Sequence, residues 1–223
     1  MAEVSAAGEP GAAGELGAAG ELGAAARAVS AAGDALAAAA ARFASLGWMR
    51  GTSGNVSLVL SSDPLRLAVT ASGRDKGELT AADVVVVDAD GRAVAAGGQR
   101  PSAEAALHAR IASLTGAGAV VHVHTVAAVA AGRHWPSGVE LEGLEMLKGI
   151  GVAAEGVRIT IPVIPNSQDM RVLGDRLERA RHPAAPAAIV ANHGLYAWGP
   201  DLQRARHHTE IVEWLLEFAL ATA

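Results

Sequence analysis

The order of strand-like and helix-like runs predicts an α/β fold: an α/β/α sandwich around a central, mostly antiparallel sheet. Three observations carry that expectation. Three strand-like runs stand together before the first interior helix. After it, strands and helices mix without the strict alternation of a doubly wound parallel sheet. The chain has 223 residues, enough for one sizeable core and too few for two.

A first helix is expected to start near Ser30 to Asp34 and to run through an Ala-rich stretch to Phe43. Gly47-Trp48 ends it, and Thr52-Ser53-Gly54-Asn55 makes a tight turn into a strand from Val56 to Leu60. Leu65 to Thr70 reads as a second strand, followed by a polar, Gly-punctuated loop from Ala71 to Gly77. Val84 to Val87 reads as a third, closed by the turn Asp88-Ala89-Asp90-Gly91. Ser102, just after Pro101, is expected to cap a helix that ends near Leu114. Ala119 to His124 is a strand, and Thr125 opens a helix to about Gly132. Glu140 to Gly149 reads as a short helix, and Ile159 to Ile164 as a strand broken by Pro162. Gln168 to Arg181 is helical, Ala188 to His193 a strand, and Asp201 to Ala223 a long closing helix.

Residues 1–26 read differently from the rest. The unit Ala-Ala-Gly-Glu-Leu-Gly recurs from Ala12 and from Ala18, in a setting of little but Ala, Gly and Glu. Such a stretch has few bulky groups to bury, and its glycines raise the entropy cost of order. It is expected to be a disordered low-complexity extension, with residues 27–223 as the folded domain. It lacks the basic start and continuous apolar core of a secretory signal, so a cytoplasmic location is the default expectation.

Composition excludes several function classes. Hydrophobic residues make up 51% but aromatics only 3%, so Ala and Val must fill the interior. The net charge of -5 comes without a basic block, which argues against nucleic acid as a partner. With 0 cysteines there is neither a disulfide scaffold nor a thiolate metal site. No uncharged run of about 18 apolar residues stands in the sequence to span a membrane. Neither Gly-x-Gly-x-x-Gly nor a Walker-type lysine motif occurs.

The most informative segment is Ala119-Val120-Val121-His122-Val123-His124. In a strand, side chains alternate faces, so His122 and His124 point one way and the intervening valine the other. Two neutral imidazoles on a buried face are costly unless each finds a partner, and a divalent metal uses both. His193, after the apolar run Ala188 to Ala191, can supply a third ligand. Three histidines with an open fourth position are the pattern of a catalytic metal site. His108, His207 and His208 on helices, and His134 and His182 in loops, are expected to have ordinary packing or surface roles.

Gly54-Asn55-x-Ser57, Thr70-x-Ser72-Gly73, Pro101-Ser102-Ala103-Glu104, His122-x-His124 and His193-Gly194 stand in the order found in class II aldolases. The chain resembles that family from about Asp34 to Leu220. Three further segments resemble the family's methylthioribulose-1-phosphate dehydratase branch. They are Ser72-Gly73-x-Asp75-Lys76-Gly77, Glu145-Met146-x-Lys148-Gly149 and His193-Gly194-Leu195-Tyr196-x-Trp198-Gly199. Between Lys148 and Ile161 the chain is Gly- and Ala-rich with little of the family's signature, and Arg50 precedes Gly51 in a loop that should meet substrate.

The resemblance implies helices covering a sheet, a homotetramer with active sites at subunit boundaries, and zinc or another divalent ion in each subunit. It implies His122, His124 and His193 as metal ligands and Glu145 as the acid/base. The implied reaction dehydrates 5-methylthioribulose 1-phosphate to 5-methylthio-2,3-dioxopentyl phosphate, in methionine salvage. The alternative is a class II aldolase or epimerase acting on another sugar phosphate with the same metal site. Ser53, Gly54, Asn55, Ser72 and Gly73 would hold the phosphate on two loops, with Lys76 as a nearby charge; by themselves they read as β-turns. Glu104 has two readings, as a support of the metal shell or as the acid/base its counterpart provides in the related aldolases.

Overall fold

A computed structural model describes residues 12–95 and 98–223. Helix α1 (Ala12–Ser45) leads into strands β1 (Asn55–Ser62), β2 (Leu65–Thr70) and β3 (Val84–Val87). Helix α2 (Ala105–Thr115), strand β4 (Ala119–Val123) and helix α3 (Val126–His134) follow. Next come β5 (Val139–Glu142), a 3-10 helix (Glu145–Ile150), β6 (Arg158–Ile161) and β7 (Val163–Ile164). Helix α4 (Met170–Ala180), strands β8 (Ala187–Val190) and β9 (Gly194–Gly199), and helix α5 (Leu202–Ala221) complete the chain.

The central sheet has the order β3-β2-β1-β4-β9-β8-β7, with β5 and β6 paired as a separate ribbon. Every neighbouring pair in the central sheet is antiparallel except β7 with β8. Pleating then sorts the strand residues between two cores. Val121, Val123, Leu195 and Ala197 point to the side covered by α1, α3 and α5, where Leu36, Phe43, Ala128, Val212 and Leu216 are buried with them. Val120, Tyr196 and Trp198 point to the other side, against Leu107 and Ile111 of α2 and Leu173 and Leu177 of α4. This is the expected sandwich on a mostly antiparallel sheet.

The local differences have identifiable causes. Helix α1 begins at Ala12 rather than near Ser30, so the part of residues 1–26 from Ala12 onward is helical rather than irregular; residues 1–11 lie outside the described residues. Ala has the highest helix propensity, and extending a helix already nucleated on the core costs less than starting one. Residues 24–28 are exposed, and burial begins at Ala32 and continues at Leu36, Ala39, Ala40 and Phe43.

Ser102 is not the cap of α2. Pro101 is held in a bridge to Ala71, and the helix starts after Glu104, whose side chain makes no capping bond. Glu140 to Glu142 is a strand, not the start of a helix. Val139-Glu140-Leu141-Glu142 alternates buried and exposed with period two, and it pairs with β6. Pro162 breaks the 159–164 run so that β6 joins the ribbon and β7 the central sheet. Strand β9 has no counterpart among the sequence-derived elements, although all six of its residues are buried. Among the described residues, no helix is long and apolar enough to cross a membrane.

Because Ala32 is the first buried side chain among the α1 residues whose burial is described, 23–45, deleting residues 1–26 should move the thermal midpoint by less than about 2 °C, under about 1 kcal/mol for a domain of this size. Scanning fluorimetry of the shortened chain checks this; a drop above about 5 °C would give that segment a part in the core.

Candidate metal centre

The register of three neighbouring strands builds the centre. His122 on β4 lies opposite Asn55 on β1 and opposite Tyr196 on β9. Its imidazole is fully buried and stacks on the Tyr196 ring, with centroids 4.0 Å apart and planes 12° apart. Nδ1 of His122 lies 3.0 Å from the Leu195 carbonyl oxygen, which fixes the tautomer: Nδ1–H donates and Nε2 keeps its lone pair. His124 stands one residue beyond β4, where its backbone N–H donates to the Trp48 carbonyl at 3.0 Å.

His193 sits in the turn between β8 and β9. Asn192, just before it, adopts the left-handed conformation (φ 57), and its Oδ1 accepts from Nε of Arg133 at 2.6 Å. The next residue must be glycine. A Cβ on Gly194 would lie 2.3 Å from the Val123 carbonyl oxygen and 3.3 Å from Cε1 of His122. Gly54 is constrained in the same way, with φ +74 and a would-be Cβ 2.8 Å from the His122 carbonyl oxygen. Two backbones thus close on the His122 strand from either side.

The three imidazoles converge. Nε2 of His122 is 2.8 Å from Nε2 of His124 and 3.3 Å from Nε2 of His193. An ion bound tetrahedrally at about 2.0–2.1 Å sets its nitrogen ligands roughly 3.3 Å apart, so this donor set fits one divalent cation. Burial brings the His122 pKa down to about 3 against the opposing pull of Glu104, and burial also lowers that of His124. Both rings are therefore neutral near pH 7, the form that ligates metal. Glu104 completes the cluster, with Oε1 3.0 Å from Nε2 of His193 and Oε2 3.4 Å from Nε2 of His122. Glu104, His122, His124 and His193 each offer a ligand atom within 4.8 Å of the others.

Burial alone would push the Glu104 carboxyl up. Hydrogen bonds from His193 and, at 2.5 Å, from Nδ2 of Asn55 act the other way and pull the group below the usual carboxylate range. Tyr196 behaves oppositely: burial and then the charge of Glu104 push its hydroxyl well above 10.

A cleft of about 170 Å³ opens beside the cluster, walled by Glu104 and His124 and by both candidate phosphate loops. Ser53, Gly54, Asn55, Ser72, Gly73 and Lys76 all line it. Their parts differ. The Ser53 hydroxyl donates to the Arg50 carbonyl, and the Asn55 amide is turned to Glu104. Ser72 and Gly73 are exposed. Lys76 is only 2% exposed, and its Nζ donates to the carbonyls of Thr52 at 2.9 Å and Arg74 at 2.8 Å, tying the two loops together.

Glu145 is placed differently from the other candidates. It opens the 3-10 helix, its side chain is 77% exposed, and it accepts from Nζ of Lys148 at 2.7 Å. Within one chain it is neither in the His/Glu cluster nor on the wall of the cleft. His108 is buried, with Nδ1 2.8 Å from the Ser57 hydroxyl, and His134 ends α3 rather than lying in a loop. Sequence reasoning missed the tyrosine under His122; the signal was the position of Tyr196 two residues before Trp198 in a Gly-bounded apolar run.

A sheet sandwich carrying this three-histidine, one-carboxylate centre defines a class of protein. The chain belongs to the Class II Aldolase and Adducin N-terminal domain family, which matches it over residues 34–220. Among individual relatives, a methylthioribulose-1-phosphate dehydratase of Sulfurihydrogenibium sp. is 39% identical over 173 residues, covering 77% of this chain and 80% of that one. The protein of the same name from Acidiphilium cryptum is 41% identical over 184 residues, covering 81% and 86%. The crystal structure of L-fuculose-1-phosphate aldolase from Thermus thermophilus superposes with a TM-score of 0.64 at 23% identity, covering 88% of this chain and 94% of that one, and attests the shared fold.

One buried acid stands behind the centre. Glu213 of α5 is 2% exposed and accepts from the hydroxyl of Thr125, which itself accepts from the Ala128 N–H and caps α3 beside His124. Burial raises its carboxyl to about 7 despite that hydrogen bond. An unfolded-chain glutamate titrates near 4.3, so from about pH 4 to above 7 the folded state holds more protons than the unfolded one. Stability then falls as pH rises through that window. Glu213→Gln removes the loss, so its thermal midpoint should gain on the parent between pH 5 and pH 8, by about 2–4 °C for each ~1 kcal/mol regained. A difference between the two proteins that does not change with pH would contradict the raised carboxyl.

Proposed function

We propose that this chain is a hydro-lyase that dehydrates 5-methylthioribulose 1-phosphate to 5-methylthio-2,3-dioxopentyl phosphate, a step of methionine salvage. The observation that carries the reading is a convergent histidine centre beside a Gly/Ser-lined cleft, in a chain this similar to the dehydratases. In this reading His122, His124 and His193 hold one zinc ion per subunit. The active unit is a homotetramer in the cytoplasm, with its sites at subunit boundaries and no nucleic-acid partner.

A divalent ion at this centre supplies Lewis-acid polarisation of the C2 carbonyl, which acidifies the C3 hydrogen. The chain's own residues do the rest. The Ser53-Gly54-Asn55 and Ser72-Gly73 loops, clamped by Lys76, receive the phosphate through hydroxyls and backbone N–H groups. Glu104 faces the Nε2 atoms of His122 and His193 and accepts from Asn55, so it supports the metal shell rather than taking the C3 proton. Glu145 takes the C3 proton and returns one to the departing C4 hydroxyl, which leaves as water, and the C3–C4 enol that results ketonises by losing its O–H proton and gaining one at C4. Its solvent-facing place on the 3-10 helix suits service to the centre of a neighbouring copy. The contact between Glu104 and the histidines favours one second reading, an aldolase or epimerase in which Glu104 is the acid/base.

Two measurements test the assignment. His122→Ala and His124→Ala should each lose most of the bound metal by elemental analysis, since two remaining imidazoles hold an ion poorly; near-stoichiometric metal in both variants would refute the ligand set.

Glu145→Gln should keep its metal yet lose ~10²–10⁴ in turnover of 5-methylthioribulose 1-phosphate, the usual contribution of a positioned acid/base. Glu104→Gln should lose less. The reverse ranking, with aldehyde released from fuculose 1-phosphate, would transfer the function to the aldolase reading.

A further inference from the structure

A second depression, of about 350 Å³, opens along α3 next to His124. His124 forms one wall, and Thr125, Val126, Val129, Ala130 and Arg133 of α3 form the rest. Val126, Val129 and Ala130 stand at i, i+3 and i+4, so they present one apolar strip along the helix. Val126 is 83% exposed at the head of that strip. The Thr125 hydroxyl is engaged with Glu213 and the Ala128 N–H, and Nε of Arg133 with Asn192, while the rest of the exposed guanidinium stands at the rim. Between that rim and the His124 side the depression offers a ligand the hydrocarbon of Val126, Val129 and Ala130.

His124 lines this depression and the phosphate-side cleft as well, so the two meet at one ring. We propose that the depression receives the apolar C5 substituent of the phosphorylated ketose, a methylthio group, and that Val126, Val129 and Ala130 determine specificity for it. The inference rests on the dehydratase reading. The substrate is a short chain with phosphate at C1, the reacting oxygens at C2 to C4 and the thioether at C5. With the phosphate on the loops at one side of His124 and the reacting carbons at the histidines, the fifth carbon leaves on the α3 side. A thioether needs no hydrogen-bond partner, and the strip of Val126, Val129 and Ala130 supplies none. A C5 hydroxyl would exchange water for aliphatic carbon there, which is how an apolar pocket discriminates.

The test compares tail-bearing and tail-free ligands on the metal-loaded full chain. Val126→Asp places a carboxylate in the first turn of α3, where the helix dipole favours it, so the fold is expected to persist. Val126→Leu preserves the apolar surface. The ratio of kcat/KM for 5-methylthioribulose 1-phosphate over ribulose 1-phosphate should fall about tenfold or more in Val126→Asp and stay near the parent value in Val126→Leu. Calorimetric affinities for the unreactive 5-methylthioribitol 1-phosphate and ribitol 1-phosphate should show the same loss of preference. An unchanged ratio in Val126→Asp would overturn the subsite. So would an unchanged ratio accompanied by dissociation on a sizing column, which would give the strip to a second copy of the chain. If the parent protein turns over neither ketose yet prefers the methylthio alditol, and Val126→Asp erases that preference, the subsite stands and the dehydratase reading falls.

Discussion

The antiparallel register of β4 between β1 and β9 is the constraint on which the rest of this molecule depends. It places Asn55, His122 and Tyr196 side by side on one face of the sheet. A slip of one residue would turn His122 into the aliphatic core under α1 and α5 and bring Val121 or Val123 to the site. The register is guarded at both ends. Gly54 and Gly194 allow the flanking backbones to approach the histidine strand more closely than any side chain would permit. The apolar alternation of Val121 and Val123 then makes the correct pairing the one that also fills the core.

Once that register is set, the electrostatics follow from it. The buried imidazole of His122, the half-buried one of His124 and a third from the β8–β9 turn face a single carboxylate. Asn55 has one route to satisfaction through Glu104, and Glu104 has His122, His193 and Asn55 as partners. A group of this kind is preorganised, because its members restrain one another before any ligand arrives.

The strand pattern and the histidines were legible in the sequence because they repeat with period two and carry an unusual side chain. The segment 119–124 states its own geometry, and the runs at 65–70 and 84–87 have the bounds that the structure gives them. The misreadings share a cause. Val139-Glu140-Leu141-Glu142 is too short for its alternation to outweigh the helical look of the residues that follow, and only pairing with β6 makes it a strand. The Ala-rich start was read from its glycines, whereas its alanines decide the backbone. The partnerships of Glu104 with His122 and His193, and of Glu213 with Thr125, join residues far apart in the chain, and no local pattern encodes them. On α5 a trace was present, since Thr209, Val212, Glu213 and Leu216 share the buried helical face.

Lys76 has a further consequence. A lysine beside an anion cleft is ordinarily a mobile charge that reaches out when the ligand comes. Here two of its three N–H groups are committed to main-chain carbonyls at Thr52 and Arg74, and the side chain is sealed from water. The ammonium thus works as a rivet between two loops that are also joined by the Lys76 backbone N–H donating to the Gly51 carbonyl. Most of the ordering entropy of the cradle is spent during folding, so a phosphate arriving later meets a finished mould. An arginine at this position would have the same charge, but its planar fork does not match two carbonyls gathered around a single nitrogen. Changes to either loop should therefore be transmitted to the other through one buried atom.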